Sequence, residues 1–143
     1  MKISMDIKNL EKGLKRLLDL EKSFDNIDDI KEEIGIYLLT RTRENFQDTK
    51  SPYGELWKPL KNPRPNGGID DKPLNDSGDL RRSVDYEVIG DDVRLFAFEP
   101  YASYHNEGTD DIPQRQFMPI DELPDDYIED ISNLIINRIN KIR

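Results

Sequence analysis

The chain has 143 residues, of which 35% are hydrophobic and 36% charged, with a net charge of −9 and no cysteine. That length suits one domain with one core, and so low an apolar fraction points to long helices, long loops or burial supplied by neighbouring copies. The missing cysteine excludes a disulfide framework, a thiolate zinc site and a cysteine nucleophile, and agrees with a reducing compartment; the longest apolar stretch, "IGIYLL" at Ile34 to Leu39, is too short to span a bilayer, and the amino terminus reads as no secretory signal.

In chain order, Ile7, Leu10, Leu14, Leu17 and Leu18 mark the apolar stripe of a helix predicted from about Ser4 to Lys22. A second stripe, Ile27, Ile30, Ile34, Tyr37 and Leu38, predicts a helix running to about Phe46. Its amino end carries the acids of "DNIDD", where the helix dipole favours them. Residues 47–76 then hold five of the nine prolines and the pair Gly67-Gly68, and so read as a long irregular loop of functional character. Trp57, the single tryptophan, needs an apolar seat, so the loop around it is expected to be pinned to the core or to a partner. The stretch "NPRPNGGIDDKP" is expected to be mobile.

From Leu74 the texture changes. "NDSGDLRRSV" predicts a short helical turn with Asp76 or Ser77 as its cap and Leu80 as its inward anchor. Alternation in "VDYEVI" and the apolar run in "VRLFAF", joined by a glycine turn at Gly90 to Asp92, predict an antiparallel hairpin whose second strand is covered on both faces. Pro100 opens another helical turn, on which Tyr101, Tyr104 and His105 share a face, and Gly108 is placed to end it in a left-handed conformation. The last stripe, Ile128, Ile131, Ile135, Ile139 and Ile142, follows Pro124 and closes the chain with Arg138, Lys141 and Arg143. The fold class is therefore α+β: a small antiparallel sheet built on a hairpin, packed against two N-terminal helices and one C-terminal helix, with a long Pro/Gly-rich loop. Residues 1–143 read as a single domain, with a helical region over 1–46, the loop over 47–76, a sheet region over 77–120 and the final helix over 121–143.

Charge is unevenly placed: residues 85–130 hold fourteen acids against only Arg94 and Arg115. Such a surface repels phosphates, which argues against sequence-specific nucleic-acid binding, although a conduit that must not grip its cargo can be acidic. The plain reading is a solvated acidic face.

Candidate chemistry is sparse. Five Asp-Asp pairs belong to no calcium loop or histidine-bearing ligand set, so no metal site and no cofactor are expected. Ser77 or Ser103 can be combined on paper with His105 and an acid, but no G-x-S-x-G elbow accompanies them, and "NGGIDD" lacks the spacing and lysine of a P-loop. His105, the only histidine, reads first as a packing ring, and its imidazole remains able to titrate near neutral pH.

Taken in order, "NFQDTKSPYGELWKPL", "LNDSGDLRRSV", the hairpin, "YASYHNEG" and "IPQRQF" resemble the phage virion morphogenesis family, the tail completion and neck proteins of Mu-like tailed phages and prophages. The matching positions are Gly54 and Trp57; Leu74, Ser77, Gly78, Leu80 and Ser83; Tyr101, Ala102, His105 and Gly108; then Pro113, Arg115 and Phe117. The resemblance implies a structural protein of the virion, not an enzyme, assembled in the bacterial host cytoplasm and placed at the neck or tail. It implies a homo-oligomeric ring, with a hexamer as one form, meeting the tail tube or tail terminator and the head connector or portal, and no membrane. Trp57, Gly78, Leu80, Tyr101, His105, Gly108, Arg115 and Phe117 are its motif and candidate interface positions. Two readings from other classes stand beside it: a small hydrolase or nuclease using His105, and an acidic decoy for a basic host protein.

Overall fold

The computed structural model describes residues 3–6, 27–62, 64, 72–90 and 92–142. In chain order these form β1 (Ile3–Asp6), α1 (Ile27–Asp48), α2 (Asp79–Ser83), β2 (Val84–Ile89), β3 (Asp92–Ala97), α3 (Ala102–Glu107) and α4 (Asp125–Ile142). The class is α+β, as the sequence predicts.

The sheet has three antiparallel strands in the order β1-β3-β2. β2 and β3 are the expected hairpin, with Val84 opposite Ala97 and Ile89 opposite Asp92. Gly90 takes the turn at φ 56°, a conformation that glycine adopts without steric cost. On the other side of β3, Ile3 pairs with Ala97 and Asp6 with Arg94. This corrects the helix predicted from Ser4. Ile-Ser-Met-Asp alternates apolar and polar at period two, the strand period, and the helical stripe begins only at Ile7. Residues 7–22 of that helix lie outside the described residues.

α1 lies across the hairpin, and its predicted stripe is the one it buries: Ile30, Ile34 and Leu38 are sealed, and Phe46 extends the row. Contact is close because Gly35 has no side chain. A Cβ there would stand 2.2 Å from the ring of Tyr86 on β2, whose hydroxyl donates to the Glu32 carboxylate at 2.6 Å. Lys31, almost fully buried, donates to the Gly90 carbonyl at 2.8 Å and ties the hairpin turn to the helix.

α4 packs beside α1 through Tyr127, Ile131 and Ile135, all buried. Its stripe is rotated from the predicted one, since Ile128 is exposed and Tyr127 faces in. The reason is local: the Tyr127 ring packs edge-on against Tyr37 and lies under the Arg41 guanidinium at 4.6 Å, while its hydroxyl accepts from Asn45. Arg41 also reaches Asp126 at 2.9 Å, and Arg138 reaches Glu33 at 2.8 Å, lacing the two helices along their seam.

Two local features differ from expectation. α2 begins after Gly78, which sits at φ 81° and offers no side-chain cap; Ser77 instead accepts from the Asp79 amide one step further in, and Leu80 is the buried anchor expected. On β3, Leu95, Phe96 and Ala97 are covered, but Phe98, just past the strand, is 63% exposed.

Candidate functional site: a cavity framed by the motif residues

The loop after α1 turns back on itself at once. Lys50 N donates to the Asn45 carbonyl, Ser51 N to Glu55 O, and Trp57 N to Thr49 O, while the Ser51 hydroxyl accepts from the amides of Tyr53 and Glu55. Gly54 permits the reversal at φ 93°. Trp57 is thereby set edge-on to Phe46 at 5.6 Å, and Phe46 packs on Phe117 at 5.1 Å. The indole N–H donates to the Gln116 carbonyl at 2.7 Å. Its expected apolar seat is thus supplied by its own domain. Of the stretch expected to be mobile, residues 63 and 65–71 lie outside the described residues.

The segment from Arg115 to Met118 is held from two sides. Arg115 N donates to the His105 carbonyl, its Nε to Lys58 O at 2.8 Å and its terminal nitrogen to Pro59 O at 3.1 Å. An acidic neighbourhood predicts a carboxylate partner for this arginine, yet its partners are carbonyls. From the other side comes Asn106, 1% exposed, whose amide oxygen accepts from the backbone N–H of Phe117 and of Met118 while its nitrogen donates to Met118 O. Asn106 belongs to none of the motif positions. Its only trace in the sequence is its place four residues after Ala102, on the buried side of α3.

Gly108 closes α3 at φ 77° and ψ 162°. Its φ is positive, as expected, but its ψ is extended, so the residue occupies a region open almost only to glycine and not the left-handed helical one. A Cβ there would lie 3.0 Å from Gln114. The loop it launches folds on itself through Thr109, whose hydroxyl accepts from the amides of Asp111 and Ile112.

Beside this junction lies a cavity of about 310 Å³. Leu74, Ser77, Gly78, Leu80, Tyr101, His105 and Arg115 face it, and Leu60, Arg64, Asp76 and Asp79 complete the wall. Seven motif positions from three separated stretches of chain therefore share one concave surface. Trp57 and Phe117 stand in the aromatic cluster outside that wall, and Gly108 lies in the loop beyond it. Leu74 enters at φ 64°, a conformation that costs a non-glycine residue on the order of 1 kcal/mol.

The cavity's electrostatics are set at close range. Burial, and then the Arg115 charge, hold the His105 imidazole below its ordinary pKa. Burial and Arg64 together hold Arg115 below the usual guanidinium value. Tyr101 is pushed up by burial and by the nearby carboxylates of Glu99 and Asp79. Its ring meets His105 edge to face at 5.8 Å, the packing role expected of that histidine. The buried Nδ1 of His105 has no hydrogen-bond partner among the described residues. No acid among them orients the ring through that atom, and the Ser77 hydroxyl oxygen accepts from the Asp79 amide. Ser77, His105, Asp76 and Asp79 share the cavity wall, but no acid among the described residues engages the imidazole Nδ1 as a triad would need. Among the described residues no group of three metal-ligating side chains converges either.

The family model that matches is that of the phage virion morphogenesis family, over residues 5–139. The chain belongs to this family. The match takes in all the motif positions and extends into both flanking helical regions. No curated protein matches the chain, and no solved structure matches it. Membership gives this morphogenesis protein a structural or assembly role in the phage virion. Among its described residues no helix is long and apolar enough to cross a membrane.

Proposed function

We propose that this morphogenesis protein completes the phage tail, or joins tail to head at the neck, as a subunit of a ring and without catalysis. Family membership carries the reading. The apolar surface supports the ring. Leu56 is 73% and Phe98 63% exposed in a chain with few hydrophobic residues to spare, and a neighbouring copy would cover such groups. Its partners are then further copies of itself, the tail tube or terminator on one side and the head connector or portal on the other. The net charge of −9 lets DNA pass a ring of such subunits without adhering.

Deleting the gene in the phage and imaging the lysate tests this directly. The expected result is filled heads beside separate or defective tails, with infectivity restored by adding purified protein. Normal infectious particles in the deletion would remove the function altogether.

A further inference from the structure

We propose that the cavity lined by Arg64, His105 and Arg115 is a receptor for a carboxylate side chain presented by another polypeptide. Arg115 is 9% exposed, and its guanidinium is met only by the carbonyls of Lys58 and Pro59 among the described residues. Carbonyl dipoles solvate a cation but bring it no counter-charge, so an incoming anion would supply one. Arg64 shares the cavity, its side chain only 13% exposed, and pairs at 3.6 Å with Asp76, which is itself 77% exposed at the mouth. Asp79, another acid of the rim, is held by Arg82 at 2.6 Å. The Arg115 guanidinium therefore stands at the inner wall, with a second guanidinium near it and these acids further out. A guest anion beside Arg115 replaces cation repulsion with attraction.

Shape selects the kind of anion. Leu60, Leu74, Leu80 and the Tyr101 ring form apolar walls suited to a methylene stem, and a guanidinium fork matches a planar carboxylate in parallel hydrogen bonds. A glutamate side chain has both parts. A nucleic acid fits poorly, because it brings a line of phosphates to a strongly acidic protein, whereas a glutamate side chain brings a single negative charge on an apolar stem. The site is independent of the neck reading, since its test uses isolated protein and the neck reading is tested in the phage.

His105 is the only histidine, so a single imidazole resonance reports on the cavity without assignment ambiguity. The charged and titratable groups facing it are Arg64, Arg115, Asp76, Asp79 and Tyr101. N-acetylglutamate N-methylamide is titrated into the protein and the histidine is followed by proton NMR against pH. Binding offsets the Arg115 charge, so the imidazole pKa should climb toward its ordinary value of 6.5. Arg64, which already donates to the Lys72 carbonyl at 2.7 Å, acts through its charge, so Arg64→Gln should weaken that response about tenfold, with Trp57 emission unchanged as the check on folding. The neutral glutamine analogue should leave the curve in place. A histidine pKa that does not move with the glutamate probe, an equal movement with the glutamine analogue, or a larger one with inorganic phosphate overturns the proposal.

Discussion

At the residue scale, Asn106 holds the motif region together although no motif position names it. Its amide oxygen receives two backbone N–H groups, from Phe117 and Met118, in the interior of this junction. Met118 O keeps a second donor in Gln116, so the damage from losing Asn106 falls on the two amides. Asn106→Ala should cost about 3 kcal/mol, the result of stranding two buried donors, and should lower the urea midpoint without changing the slope. An Asn106→Ala protein with the wild-type midpoint would show that the clamp has no energetic weight. Arg115 and Phe117 were legible in the sequence as a pair; the residue that fixes them was not. A buried asparagine looks, in sequence, like any polar residue on a short helix, because its value depends on two amides met only after the chain has returned.

At the element scale, the contact between α1 and the hairpin depends on one missing methyl group. In an isolated helix, replacing Gly35 by alanine stabilises by about 1 kcal/mol. Here the added Cβ meets the Tyr86 ring at 2.2 Å, so the helix must lift or the ring must turn, and overpacking of that kind costs about 2 kcal/mol. Gly35→Ala should therefore destabilise the protein in thermal unfolding, and the same change made in a Tyr86→Leu background should be neutral or stabilising. Destabilisation of equal size in both backgrounds would place the effect elsewhere. Periodicity made α1, α4 and the hairpin readable, since Ile30, Ile34 and Leu38 or Ile131 and Ile135 repeat at the spacing of a buried stripe. It did not reveal β1, where four residues are too few for their alternation to outweigh the helical stripe that follows. Nor did it place Tyr127 inward, because that choice is made by Arg41, Tyr37 and Asn45 on another helix.

At the scale of the whole molecule, the described residues form a core against which the motif loops are pinned, and the most exposed apolar side chains lie away from it. If those side chains are covered in an assembly, their loss should separate folding from function. Leu56→Ser should shift the stability of the isolated subunit by less than about 0.5 kcal/mol, and Phe98→Ser, which gives up an edge-to-face contact with Phe96 at 4.8 Å, by about 1 kcal/mol. Combined, they should fail to restore infectivity to the deletion phage. Full complementation by the double variant would dismiss this surface as an interface. The placement of β1 bears on the order of events during synthesis. Ile3 pairs with Ala97, so β1 emerges from the ribosome before β3 and has no partner until β3 has been made. Closing so long a stretch of chain is entropically slow, which makes β1 a late arrival in folding. Until it docks, β3 presents an apolar edge with unpaired backbone groups, and the same slot is open to the β1 segment of another nascent chain, so crowding on a polysome favours strand exchange between copies.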